Sequence, residues 1–188
     1  TVSQSVSQSL VDSYQSLGVE VHSEFELSAG HGFPTKNFGV ACEETQSPFI
    51  NDCQFDAAGK LLSFLLGELN PKEPAATKNL AGKTLPFEQE KFLDEGRENT
   101  LADIGYVYIP PSCISGEKCQ IHMVLHGCQQ NVDSVDKVFI NNIGINDWAN
   151  ANNLVVIYPQ TKSTFLPLNP KACWDWWGYT GSDYLSRE

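Results

Sequence analysis

The run Leu154-Val155-Val156-Ile157-Tyr158-Pro159 constrains the fold most. It has no polar face and falls far short of the roughly 20 residues that a bilayer helix needs. A short, continuous, β-branched run of this kind is the mark of a strand covered on both faces by helices. Just before it, Ser134 to Asn152 carries Val135, Val138, Phe139, Ile143, Ile145, Trp148 and Ala149 at helical spacing, interrupted near Gly144. Two further strands are expected upstream. Ile104 to Ile109 ends at Pro110-Pro111, and a small loop between Cys113 and Cys119 returns the chain into Gln120 to Leu125, as an entry hairpin. Strand, strand, helix and buried strand specify an open α/β sheet with flanking helices rather than a sandwich.

The second of those strands runs into Met123-Val124-Leu125-His126-Gly127-Cys128-Gln129. It stops at His-Gly, passes into a polar loop and then into the helix. A strand, a sharp His-Gly turn and a helix is how an α/β-hydrolase builds half of its oxyanion hole, with one backbone N–H of the loop aimed at the acyl oxygen. The dipeptide alone would equally suit an ordinary strand end, so the remaining motifs decide its meaning.

At the amino-terminal side, Val6, Leu10, Val11, Tyr14 and Leu17 have helical spacing, closed by Gly18 as a C-cap. Val19, Val21, Phe25 and Leu27 then alternate with Glu20, His22, Glu24 and Glu26, which predicts a strand with one buried face and leaves His22 solvated. That strand would deliver Ser28-Ala29-Gly30-His31-Gly32-Phe33-Pro34-Thr35 at its carboxyl end. Flanking glycines let the backbone turn sharply so that the His31 ring can stand clear. A histidine so placed is a candidate general base. A helix is expected over 55–69, capped by Asp56 or Asp52, with Leu61, Leu62, Phe64, Leu65, Leu66 and Leu69 facing the core and Asn70-Pro71 ending it. Residues 70–83 read as a surface connector, 84–92 as a weaker strand, and Asp94, Glu95, Arg97 and Glu98 as a solvated turn.

A net charge of −11 excludes a basic stripe for nucleic acid and disfavours an anionic membrane. Six cysteines, with no C-x-x-C pair and no histidine at zinc spacing, imply no metal and an oxidising compartment, secreted or periplasmic. Fifteen pairings are possible; the expected set is Cys42–Cys53, Cys113–Cys119 and Cys128–Cys173. The chain starts without Met and ends in what reads as the opening of a helix, so it is expected to be a piece of a larger secreted protein. Finally, Cys173-Trp174-Asp175-Trp176-Trp177 packs its tryptophans too densely for all of them to face one core, so some are expected to line a groove.

Together, Leu125-His126-Gly127-Cys128, the Trp148-Ala149 helix, Val156-Ile157-Tyr158-Pro159-Gln160, Cys173-Trp174-Asp175-Trp176 and the Gly30-His31-Gly32 loop resemble secreted poly(3-hydroxybutyrate) depolymerases, relatives of feruloyl and acetylxylan esterases. The resemblance covers nearly the whole chain. It implies a circularly permuted α/β-hydrolase in which His31 precedes the oxyanion strand, and an extracellular Ser-His-Asp esterase needing no cofactor. It further implies His31 as base, Cys128 N–H as an oxyanion donor, and Trp176 with Trp174 at the ester site. Within one catalytic domain, 1–69 would be a histidine limb, 70–102 a connector and 103–188 an oxyanion-loop limb. No Gly-x-Ser-x-Gly occurs in these residues, so the serine and the acid would lie in an amino-terminal part outside them. The open alternatives are a feruloyl or acetylxylan-type carbohydrate esterase and a non-catalytic polymer-binding relic.

Overall fold

The computed structural model describes residues 3–72, 82–93 and 100–181. The chain forms two compact units, Thr1–Glu68 and Leu69–Glu188.

The first unit begins with α1 (Gln4–Ser16). Gly18, at φ 74°, closes the helix. Its N–H donates to the Gln15 carbonyl while the Val19 N–H reaches back to Tyr14, the paired bonds of a left-handed C-terminal cap. None of the α1 residues is buried. The expected strand over 19–27 is absent. Alternation supplies a buried face, but a strand also needs a partner ladder for its N–H and C=O groups, and no described strand pairs with this segment. The sheet of this unit is instead three short parallel strands, β1 (Phe33–Thr35), β2 (Val40–Ala41) and β3 (Ile50–Asp52), in the order β1-β3-β2. His31 therefore leads into a strand rather than following one. Helix α2 spans Ala57–Leu66, and Asp56 caps it by accepting from the Gly59 N–H at 2.9 Å. It ends at Gly67, φ 85°, before Asn70-Pro71. Of its expected core face only Leu62 is buried; Leu61, Phe64, Leu65 and Leu66 are exposed.

The second unit is a four-stranded sheet of β4 (Lys83–Glu88), β5 (Ile104–Ile109), β6 (Gln120–Met123) and β7 (Leu154–Tyr158), ordered β4-β5-β7-β6. A 3₁₀ turn, Gln89–Phe92, replaces the end of the expected 84–92 strand. Two corrections concern pairing. β5 and β6 form no hairpin: helix α3 (Pro111–Ile114) and the Cys113–Cys119 loop carry the chain onward, and β7 inserts between them, antiparallel to β5 and parallel to β6. The expected single helix after the His126-Gly127-Cys128 loop is three: α4 (Val132–Val135), α5 (Val138–Asn142) and α6 (Ile145–Ala151). Asp136, at φ 51°, ends the first, and Gly144, at φ 83°, opens the last.

Those helices cover one sheet face. Phe139, Ile140, Ile143, Ile145 and Ala149 are buried together with Leu154, Val156 and Tyr158, and the Tyr158 hydroxyl donates to Asn146 Oδ1 at 2.7 Å. The other face is not covered by described residues. The register aligns Leu85, Val107, Ile157 and Met123 in one row across all four strands, beside an open apolar depression of about 500 Å³. β7 is thus helix-covered on one side only. The two sheet edges also differ. β4 carries Lys83, Pro86 and Glu88, the guards that natural edge strands use against pairing. β6 reads Gln-Ile-His-Met, with Ile121 71% and Met123 57% exposed. The charged cluster at 94–98 lies outside the described residues.

Candidate active site

His31 sits on a short loop bound on every side by the segment 42–51. The Gly30 N–H donates to the Cys42 carbonyl at 2.7 Å, and the Phe33 N–H to the Phe49 carbonyl at 2.8 Å. The His31 N–H itself donates to Thr45 Oγ1 at 2.8 Å. The glycines are dictated by space. A Cβ at Gly30 would overlap the Glu44 carbonyl, and one at Gly32 would overlap the Asn51 side chain and the Phe49 carbonyl. The loop lies flat against its support, and the His31 residue is exposed.

Asn51 organises this support. It is completely buried. Its Nδ2 donates to the carbonyls of Ala41, Cys42 and Glu44 at 3.2, 3.0 and 2.7 Å. The Cys42 carbonyl thereby accepts from both Asn51 and Gly30. Among the described residues Asn51 Oδ1 has no donor; it faces Gly32, where a Cβ would stand. The Cys42–Cys53 disulfide closes the same loop. Sequence reasoning missed Asn51. A polar residue closing the run Phe49-Ile50-Asn51, two positions before Cys53, was the available signal.

In the second unit, β6 releases the chain into His126-Gly127-Cys128. The His126 ring is buried, 3% exposed. Its Nε2 accepts from the Thr161 N–H at 3.2 Å, and its Nδ1 lies 2.7 Å from the Gly127 carbonyl. The His126 carbonyl accepts from the Trp174 indole N–H at 2.8 Å, and the two rings pack with centroids 5.4 Å apart. The Gly127 N–H donates to Gln130 Oε1 at 2.8 Å, and the Gln129 N–H to the Lys171 carbonyl at 2.8 Å. Gln129 adopts φ 60°, a left-handed conformation that a non-glycine residue rarely holds without support. The Cys128–Cys173 disulfide ties the loop to the tryptophan segment. Amid these restraints, among the described residues, no acceptor takes the Cys128 N–H, and Cys128 is exposed.

Burial of the His126 ring pushes its pKa below the ordinary histidine range, against a smaller opposing effect of the Gly127 carbonyl. The Asp175 carboxylate shapes the tryptophan loop. It accepts from the amides of Gly178, Tyr179 and Thr180 and from the Thr180 hydroxyl. Burial raises its pKa, but these four donors outweigh that effect and hold the carboxyl below its usual range. The loop leaves Trp176 73% exposed, set edge-on against Trp177 at 5.1 Å. Trp174 is half-buried, with its N–H committed to His126. Nearby in sequence, Phe165, Leu166 and Leu168 are also exposed; no pattern in the chain had marked them.

The three disulfides in the structure join Cys42 to Cys53, Cys113 to Cys119 and Cys128 to Cys173, and no described cysteine is free. A poly(3-hydroxybutyrate) depolymerase of Delftia acidovorans is 37% identical over 164 residues, 86% of this chain. A polyhydroxybutyrate depolymerase of Talaromyces funiculosus is 37% identical over 169 residues, 82% of this chain. The chain belongs to the polyhydroxybutyrate depolymerase family. The crystal structure of the depolymerase from Penicillium funiculosum superposes with a TM-score of 0.73 at 36% identity, covering 83% of this chain. A serine-to-alanine variant of such a depolymerase, complexed with an R3HB trimer, superposes equally well at 37% identity. The chain spans 31% and 48% of the two curated relatives, and 51% of each solved depolymerase. No family model matches the chain.

Proposed function

We propose that this chain supplies the proton carrier and one oxyanion donor of an extracellular serine esterase acting on poly(3-hydroxybutyrate)-like polyesters or their oligomers. The reading rests on the Cys128 N–H, which has no acceptor among the described residues and sits on a loop tethered by the Gly127 and Gln129 amides, the His126 ring and the Cys128–Cys173 disulfide.

In the proposed reaction a serine from polypeptide outside this chain attacks the ester carbonyl. His31 removes the hydroxyl proton, and the Cys128 amide stabilises the oxyanion. The alkoxide leaves with the proton from His31, giving an acyl-enzyme. Water, deprotonated by His31, then releases the acid and restores the serine. Trp176 and the exposed edge of Trp174 would contact the acyl chain, and Phe165, Leu166 and Leu168 offer further apolar surface for a polyester. The two units would be limbs of one circularly permuted catalytic α/β-hydrolase domain, 1–69 and 103–188, joined by the connector 70–102. The unguarded edge of β6 and the apolar row Leu85-Val107-Ile157-Met123 support a missing strand and covering helices, because a sheet of this class is covered on both faces. The disulfides support secretion.

The test is hydrolysis by the full-length protein of a 3-hydroxybutyrate trimer against a feruloyl ester. Preferential cleavage of the trimer, lost in His31→Ala, supports the proposal. Preferential cleavage of the feruloyl ester moves the protein to the carbohydrate esterases. Polymer binding without turnover leaves the non-catalytic reading.

A further inference from the structure

Hydrogen-bond polarity at His126 fixes its tautomer. The Thr161 backbone nitrogen has only a proton to offer, so His126 Nε2 must present its lone pair. The Gly127 carbonyl can only accept, so His126 Nδ1 must carry the hydrogen. The buried ring is therefore neutral and protonated at Nδ1. Each end of it fixes a different piece of backbone: Thr161, just beyond β7, and Gly127, whose carbonyl carbon is bonded to the Cys128 nitrogen. Thr161 is itself immobilised, since its carbonyl accepts from Asn131 Nδ2 at 3.0 Å and its hydroxyl donates to the Ala172 carbonyl at 2.6 Å. The Gly127–Cys128 peptide plane is thus held from its oxygen side by the His126 ring at 2.7 Å and, at the longer distance of 3.2 Å, by the Gln130 N–H. Because the peptide unit is planar, fixing the oxygen fixes the direction of the N–H.

We propose that His126 is a positioning residue of the oxyanion hole: in its neutral Nδ1–H form it orients the Cys128 N–H toward the acyl oxygen. The proposal rests on the esterase reading above and adds a dependence on one tautomer of a second histidine, separate from His31. A second proton would convert Nε2 into a donor facing the Thr161 N–H, and the ring would have to leave its seat. Burial of the ring opposes that protonation, and no charged side chain contributes to its shift. The groups facing the ring are the Thr161 amide and hydroxyl, the Gly127 carbonyl and the Trp174 indole.

The experiment has two arms. In the first, nitrogen-15 NMR of the full-length protein, labelled at histidine and cysteine, reads the tautomer directly. A pyrrole-type Nδ1 and a pyridine-type Nε2 at neutral pH are expected for His126, with the Cys128 amide signal moving together with the His126 ring as pH is lowered. An Nε2–H tautomer, or a Cys128 amide indifferent to the state of the ring, overturns the proposal. In the second, His126→Gln in the full-length protein keeps an acceptor within reach of the Thr161 N–H and removes the Nδ1–H donor to the Gly127 carbonyl. The expected result is a kcat lower by roughly ten- to a hundred-fold, somewhat less than loss of a whole oxyanion donor, with KM within about twofold. An unchanged kcat in a folded variant refutes positioning. The NMR arm needs no turnover, so a protein that shows the tautomer but cleaves no ester would defeat the esterase reading alone.

Discussion

The His31 loop of the first unit and the His126-Gly127-Cys128 loop of the second solve the same problem, holding one group still in front of solvent, by different means. Around His31 there is little secondary structure to rely on: three strands of two or three residues each. Rigidity comes from a buried amide, Asn51, a short disulfide loop, and glycines pressed against carbonyls. Around Cys128 a four-stranded sheet and a packed helical layer provide the frame, and a neutral imidazole and a long-range disulfide tether the loop to it. A small polar clamp fails as a unit when one member is lost, whereas a loop seated on a core is weakened in steps.

The largest expected effect separates chemistry from scaffold in the first unit. His31→Ala should lower kcat of the full-length enzyme by about 10⁴-fold while leaving its thermal midpoint in place, because the ring carries none of the loop's anchoring bonds. A substantial fall in stability would erase the distinction between the clamp and what it holds. Next, Asn51→Ala removes the hydrogen bonds that Nδ2 donates to the Ala41, Cys42 and Glu44 carbonyls, at a cost of about 2–4 kcal/mol read by chemical denaturation. Thr45→Ala, which removes a single exposed acceptor, should cost far less. In the second unit, replacing Cys128 and Cys173 together by serine should cost about 2–5 kcal/mol, leaving the sheet folded by far-ultraviolet circular dichroism. If the whole unit unfolded instead, the stepwise picture of this loop would be wrong.

A smaller effect is pH-dependent. Because the folded state disfavours the charged form of His126, the unfolded chain binds more protons as pH falls. This contribution to stability is therefore full above the unfolded histidine pKa of about 6.5 and is lost as pH drops from there toward the folded value. His126→Gln should flatten that part of the stability profile, measured by denaturant titrations at several pH values. Asp175 acts further down in acid: its depressed pKa gives stability that is present above the usual carboxylate range and lost as pH falls through the folded value. The mildest change is Trp176→Ala, which should raise KM for oligomers with little effect on kcat or folding. A large fall in kcat would place the indole against the reacting atoms.

What was legible in the sequence follows the same division. β5 and β7 were readable because apolar β-branched runs between turn signals have few other solutions, and α1 because its stripe ends at Gly18. The strand expected at 19–27 failed because alternation says which side chains share a face but not whether a neighbour exists to complete the ladder. The expected β5–β6 hairpin failed because adjacency in sequence concealed the insertion of β7. At the site, His31 and the His126-Gly127-Cys128 turn were visible as motifs. Their supports, Asn51, Gln130 and Thr161, were not. They are buried polar residues, and a hydrophobicity pattern assigns such residues to solvent unless their partners are known.

The bare flank of β6 has a practical consequence. A strand with Ile121 and Met123 in the open and no proline or lysine to deter a neighbour is a receptor for any extended backbone of suitable register. Produced by itself at high concentration, this polypeptide will zip onto copies of itself. Given instead a short synthetic strand in excess, it should take up that strand in place of a second copy, which size-exclusion chromatography would read as loss of the self-associated species.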